Sequence, residues 1–225
     1  MIQAVSLTKV YNKGKKNQVE AVTDANVTAE NGSITVFTGP SGCGKTTLMS
    51  MIGQLLTPTQ GKILVDNEDI TAYSDGWKAV FRRENMGFVF QHINLLPNLN
   101  ALDNVMIPLL SHDVNPAQHK ERALQLLEKL GIAERAYLGV EQLSGGQQQR
   151  VAVARALITE PNIVIADEPL TFVDQASAKT ITAFFIKLRD EGKIILISTH
   201  MANLAELADK TFPMQDGRIL NSIRQ

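Results

Sequence analysis

A mainly parallel α/β sheet is what the sequence predicts, on three observations. Short β-branched apolar runs recur at 33–38, 62–65, 86–90, 162–166 and 193–198. The segments between them carry helical spacing, and a glycine-rich turn joins the first run to a helical one. Uninterrupted apolar runs alternating with helices mark strands buried on both faces of a parallel sheet.

The start of the chain departs from this pattern. Apolar and polar residues alternate at 2–9 and again at 19–27, around a Lys/Gly/Asn-rich turn at 12–18, which predicts an antiparallel hairpin. The run 33–38 then leads through the glycine-rich turn into a helix at 47–53. Between 91 and about 142 strand signals vanish: Pro97, Pro108 and Pro116 cut the chain into short pieces ahead of an amphipathic helix at 116–130, stopped by Gly131. This predicts a helical lobe inserted between two strands. The segment 211–220 reads as two short strands about a turn at 215–217. The expected organisation is one domain over 1–225, with a catalytic α/β core and N-terminal β subdomain at 1–90 and 160–225 and a helical subdomain at about 91–159.

At 225 residues and 44% hydrophobic side chains, the chain can bury one sizeable core with a smaller lobe attached. Its 22 basic and 23 acidic residues give a net charge of −1, so no global field binds it to nucleic acid, and none is expected as a partner. The single cysteine, Cys43, excludes an internal disulfide and fits a reducing compartment. The alternating start lacks a signal-peptide core, which predicts a cytoplasmic protein. No run approaches the 18 or so apolar residues of a membrane span; even 104–110 is short and carries Pro108. A role in transport would need a pore from another chain.

The glycine-rich turn, Gly39-Pro40-Ser41-Gly42-Cys43-Gly44-Lys45-Thr46, fits the phosphate-loop pattern G-x-x-x-x-G-K-[ST] and sits between a buried strand and a helix, as that chemistry requires. Successive backbone amides curl around phosphate oxygens and the following helix adds its positive end. Lys45 supplies a point charge for the β and γ phosphates, the Thr46 hydroxyl a hard oxygen for Mg²⁺, and Thr47 completes the cradle. Cys43 is a small filler within the loop.

The run 163–166 ends in Asp167 and Glu168, at the carboxyl edge of the sheet where open α/β folds bind ligands. Asp167 is placed to hold Mg²⁺, directly or through water. Glu168, pointing the other way, is placed to take a proton from water attacking the γ phosphate.

Phosphate loops serve many classes of protein, so these two motifs define an NTPase and no more. The sequence Leu143-Ser144-Gly145-Gly146-Gln147, followed by Gln148-Gln149-Arg150 and a helical run to Leu157, resembles the signature sequence of the ABC (ATP-binding cassette) family. Physically it is a second glycine-rich helix N-terminus able to meet an anion. In that family ATP, with Mg²⁺, is sandwiched between the phosphate loop of one subunit and the signature of another, in head-to-tail pairs. The resemblance therefore implies a homodimer, with Ser144, Gly145, Gly146 and Gln147 facing the partner's nucleotide. It also implies that Gln91 contacts Mg²⁺ and the attacking water and links the site to the helical lobe. By the same carry-over His200 touches the γ phosphate, and Asp174 lies in the loop that crosses between subunits. Tyr11 matches the aromatic residue that stacks on adenine, with packing inside the hairpin as the alternative.

The resemblance covers essentially the whole chain. Residues 87–105 and the triple glutamine at 147–149 are similar to the ATPases paired with macrolide-efflux and lipoprotein-releasing permeases, a group that includes antimicrobial-peptide and haem exporters. A subunit that powers a separate membrane permease from the cytoplasmic face is the function this implies. The alternatives are a pore-less ABC ATPase of DNA repair or translation and a regulatory module that binds ATP with little turnover. One departure stands out: after Pro169 the family usually continues with a small polar residue, Gly or Ala, Asn, Leu and Asp. This chain has Leu170-Thr171-Phe172-Val173-Asp174. Phe172 is expected to fill a pocket in its own subunit, with packing across the dimer as the alternative.

Overall fold

The computed structural model describes residues 1–111, 115–171, 173–220 and 223–224. Its elements are β1 (Ile2–Tyr11), β2 (Val19–Ala29), β3 (Ser33–Thr38), α1 (Lys45–Ile52), β4 (Gln60–Val65), β5 (Glu68–Asp69), α2 (Asp75–Asn85), β6 (Met86–Val89), α3 (Ala101–Met106), α4 (Pro116–Lys129), α5 (Gly145–Leu157), β7 (Ile163–Asp167), α6 (Gln175–Asp190), β8 (Ile194–Thr199), α7 (Ala202–Ala205), β9 (Lys210–Gln215), β10 (Arg218–Ile219) and β11 (Ile223–Arg224). Among the described residues the main sheet has seven strands in the order β10-β9-β3-β8-β7-β6, with β11 beside β9, and its centre, β9-β3-β8-β7-β6, is parallel.

The apolar runs of β7 and β8 are buried along their full length, and their side chains divide between two faces. Val164, Ala166, Ile195 and Ile197 join the cluster that continues through α5 and α6 into α3 and α4. Ile163, Ile165, Ile194 and Leu196 join Phe37, α1 and the antiparallel hairpin on the other face. One face of the sheet thus shares its packing with the helical lobe, so the lobe is seated on the strands that carry the acidic pair.

The hairpin is as expected, with β1 and β2 antiparallel and Ile2 opposite Ala29. The run 62–65, read as a strand of the parallel sheet, is corrected. It lies in β4, antiparallel to β1 in a separate four-stranded sheet of order β2-β1-β4-β5. Only Ile63 of β4 is fully buried, and a strand with one wet face belongs in an antiparallel layer. The run 86–90 ends as a strand at Val89. The 116–130 helix ends at Lys129, and Gly131 takes the left-handed turn beyond it at φ +65°. Within the lobe α3 forms between Pro97 and Pro108. Asn100 accepts the Asp103 amide at its N-cap, and the buried Asn104 side chain donates to the carbonyls of Leu96, Leu99 and Asn100.

Candidate active site

Register brings the site together. Thr38 of β3 is paired with Thr199 of β8, Asp167 of β7 with Ser198, and Val89 of β6 with Ala166. The residues that follow these strand ends, Gly39, His200, Glu168 and Gln91, therefore emerge at one carboxyl edge. There they border a cleft of about 820 Å³, lined by Ser41, Gly42, Gly44, Lys45, Thr46 and Thr47 of the loop, by Gln91, Glu168, Thr171 and His200, and by Val19, Glu20, Ala21, Asp216 and Gly217 from the β2 and β9–β10 side.

The loop is held from beneath and from one side. Lys45, only 7% exposed, donates to the carbonyls of Gly39 at 2.7 Å and Pro40 at 3.1 Å. The Gly217 amide donates to the Cys43 carbonyl at 3.0 Å, and the Gly217 carbonyl accepts from the Thr23 amide at 2.8 Å. Gly44 is required twice over: its φ is +104°, and a Cβ there would run into the Ala21 carbonyl. Gly39 and Pro40 serve the cleft through the carbonyls that hold Lys45. Cys43 is buried as the filler expected, with its Sγ 4.0 Å from Lys45 Nζ.

The acidic pair divides where β7 ends at Asp167 and the chain turns left-handed at Glu168. Asp167, buried beneath the cleft lining, accepts a hydrogen bond from Ser198 Oγ. Glu168 faces the cleft, with its amide donating to Ser198 O at 3.0 Å and Ser198 Oγ at 3.1 Å. Its φ of +47° is a left-handed conformation that costs a non-glycine residue about 1–3 kcal/mol and clusters at working sites. Glu168 Oε2 lies 2.9 Å from His200 Nδ1 and 3.3 Å from Thr171 Oγ1, and Oε1 lies 3.8 Å from Lys45 Nζ. A carboxylate oxygen only accepts, so Nδ1 carries the proton of the His200 bond and Nε2 remains for the cleft.

The signature residues stand apart from this lining. Ser144 Oγ accepts the Gln147 amide at 3.3 Å while Gln147 Oε1 accepts the Ser144 amide at 2.9 Å, a capping box at the start of α5. Such caps contribute roughly 0.5–2 kcal/mol. Gly146 is packed so closely on α6 that a Cβ would strike the Asp174 carboxylate and the Ser177 hydroxyl. Asp174 itself lies outside the cleft lining and caps α6, accepting from the Ser177 amide at 2.9 Å and the Ser177 hydroxyl at 2.7 Å. Tyr11 is also outside the lining. It sits opposite Val19, which does line the cleft, so both side chains share one face of the hairpin, and Lys9 Nζ lies 5.4 Å from its ring centroid. Phe172 lies outside the described residues.

Three contacts escape a reading of the sequence. Ser198 braces both acids, Thr171 meets Glu168, and the buried Gln149 donates to the Pro169 carbonyl at 2.8 Å, joining the signature helix to the loop after Glu168. Only Ser198 left a signal, as a polar residue in an otherwise apolar buried run.

Residues 22–171 match the family model described as ABC transporter. The chain belongs to the ABC transporter family. Among its relatives is YvrO of Bacillus subtilis, an uncharacterized ABC transporter ATP-binding protein, 41% identical over 98% of this cassette and 96% of the relative. Another is the lipoprotein-releasing system ATP-binding protein LolD of Bacteroides thetaiotaomicron, 37% identical over 97% of this cassette and 99% of LolD. The structure is similar to the dimeric MJ0796, a bacterial ABC transporter cassette, with a TM-score of 0.94, 35% identity and coverage of 100% of this cassette and 98% of that one. It is also similar, at a TM-score of 0.93 and 34% identity, to the post-hydrolysis state of MJ0796 bound to ADP and Pi. The cassette is therefore an ATP-binding, ATP-hydrolysing subunit of a transporter, and its relatives decide against the pore-less alternative. Among its described residues no helix is long and apolar enough to cross a membrane.

Proposed function

We propose that this cassette binds Mg²⁺-ATP in the cleft above β3, β7 and β8, hydrolyses it with Glu168 as general base, and passes the resulting opening and closing of a homodimer to a membrane permease of the lipoprotein-releasing or macrolide-efflux type. On this reading it works from the cytoplasmic face of the membrane, held there by its permease. The observation that carries the reading is the placement of Glu168: aimed into the cleft, gripped by His200 at 2.9 Å and facing Lys45 at 3.8 Å.

The donors fit the ligands. Lys45, Thr46 and Thr47 line the phosphate end, beside Gly42, which leaves open space where a Cβ would stand. Thr46, Gln91 and Asp167 offer hard oxygens to Mg²⁺, Asp167 through water because it lies under the lining. Among the described residues no group of three or more His, Cys, Asp or Glu could hold a metal by itself. A sparse set of this kind suits Mg²⁺, which takes the rest of its shell from phosphate and water. Mg²⁺ held by Thr46 and Gln91, and by Asp167 through water, would supply positive charge against the charge developing on the phosphates. Gln91 orients the attacking water, Glu168 takes its proton, and His200 steadies Glu168 through Nδ1, with Nε2 donating to the γ phosphate when the ring carries both protons. Tyr11, sharing a face with Val19, offers its ring to adenine.

Ser144, Gly145, Gly146 and Gln147 lie outside their own cleft lining, which supports their serving a partner's nucleotide in a two-fold pair. Asp174, beside Gly146, brings the crossing loop to the same surface. A groove of about 720 Å³ between α2, β6 and the lobe, with Leu55, Phe88, Phe90 and Leu110 in its lining and Arg82 and Arg83 beside them, suits a short helix of the permease. Phe90 precedes Gln91, so the groove and the cleft share one stretch of backbone. The lobe at 91–159 is then the part that moves.

Glu168→Gln tests the base. We expect hydrolysis to fall about 10²–10⁴-fold with ATP affinity retained, measured as phosphate release at saturating Mg-ATP alongside nucleotide binding. Wild-type turnover in that variant would remove Glu168 from the role.

A further inference from the structure

We propose that Thr171 is a positioning residue for the Glu168 carboxylate. The inference rests on the reading of Glu168 as the base. Thr171 Oγ1 donates to Glu168 Oε2 at 3.3 Å, and Thr171 lines the cleft. The same oxygen meets His200 Nδ1 at 2.9 Å. Two donors on Oε2 fix the plane of a group whose terminal torsion is otherwise broad, and they leave Oε1 turned towards Lys45.

The His200 contact comes from a side chain that is 58% exposed, whereas that of Glu168 is 9% exposed. Thr171 approaches from the loop that begins at Glu168 itself, so its grip does not depend on a second strand. The bland alternative is that the hydroxyl merely shapes this loop. Loop shape, however, is already set by other bonds: the Thr171 amide donates to the Glu168 carbonyl at 3.2 Å, the Val173 amide to the Leu170 carbonyl at 3.4 Å, and Gln149 to the Pro169 carbonyl at 2.8 Å. Leu170 anchors the loop by burial, at 3% exposure. The hydroxyl is therefore spare for folding and available for Glu168. At 3.3 Å the bond is longer than the usual 2.7–2.8 Å, which sets the expected effect at the scale of a single modest hydrogen bond.

The test uses the full chain with three substitutions, Thr171→Val, Thr171→Ser and Thr171→Ala, each also made with Glu168→Gln. Thr171→Val keeps the shape and removes the hydroxyl. We expect it to lower kcat about 3- to 10-fold, with KM, the Kd for a fluorescent ATP analogue and Tm unchanged. Thr171→Ala should match it, and Thr171→Ser should recover most of the wild-type kcat. In the Glu168→Gln background none of the three should lower the residual rate further. A Thr171→Val kcat equal to wild type, with Glu168→Gln inactive, overturns the inference and spares the base. Raised KM or Kd with kcat intact overturns it too, since the hydroxyl then serves the nucleotide, and so does a Thr171→Ser variant as slow as Thr171→Val. Wild-type turnover by Glu168→Gln is the separate result that removes the base itself.

Discussion

Asp174 does for α6 what Ser144 does for α5, but its cap carries a charge. Its carboxyl is held below the ordinary aspartate range, first by the Ser177 amide and next by the Ser177 hydroxyl. A depressed carboxyl adds stability above its unfolded value of about 3.9, and that stability is lost as pH falls through this value towards the folded one. Asp174→Asn caps as well but does not titrate. The Tm advantage of wild type over Asp174→Asn should accordingly be present at about pH 7 and shrink at about pH 3; a gap independent of pH would contradict the charged cap. At this scale the sequence was most legible where chemistry is local. Lys45, Thr46, Asp167 and Glu168 declare themselves because the phosphate loop and the acidic strand end are contiguous patterns, and the structure brings Lys45 and Glu168 to one cleft from 123 residues apart in the numbering of the chain. Ser198 and Thr171 act on atoms 30 and 3 residues away, and no residue-by-residue pattern announces either bond.

Elements were readable where burial is two-sided. The runs that became β3, β7 and β8 are apolar on both faces, whereas β4 buries Ile63 and leaves much of its remainder wet. A four-residue run hides that difference, because alternation needs more residues to show than continuity does. The short α3 was hidden for another reason: its stability comes from Asn104, whose three donated bonds tie it to 96–100, and from its place in the core. The groove between α2, β6 and the lobe is likewise a product of packing that no motif encodes. Leu110 lines it and is 84% exposed, so a substitution there spares the fold. Leu110→Glu should weaken capture of the permease about 10- to 100-fold, the worth of one buried leucine, in co-purification or titration against the detergent-solubilised permease. The basal ATPase rate of the isolated subunit should stay within about twofold. Undiminished capture would move the permease contact elsewhere.

Over the whole molecule the cleft and the signature stand at two separate places. The cleft holds the phosphate loop, Gln91, Glu168 and His200, while the signature helix turns its capped N-terminus elsewhere and is tied back to the cleft through Gln149 and the Pro169 carbonyl and through Gly146 against Asp174. On the proposed pairing, pressure on the signature from a partner's nucleotide would reach the loop that carries Thr171 and begins at Glu168. The proposed closure would follow from a difference in dimer affinity between ATP and ADP states. The measurement that tests this most directly is the solution mass of the Glu168→Gln variant, by light scattering, with and without Mg-ATP. We predict twice the 24.7 kDa of the chain with Mg-ATP, two nucleotides per pair, and the single-chain mass with ADP. A variant that binds ATP and remains at 24.7 kDa, while the wild-type chain hydrolyses ATP at a rate per chain independent of protein concentration, would contradict it.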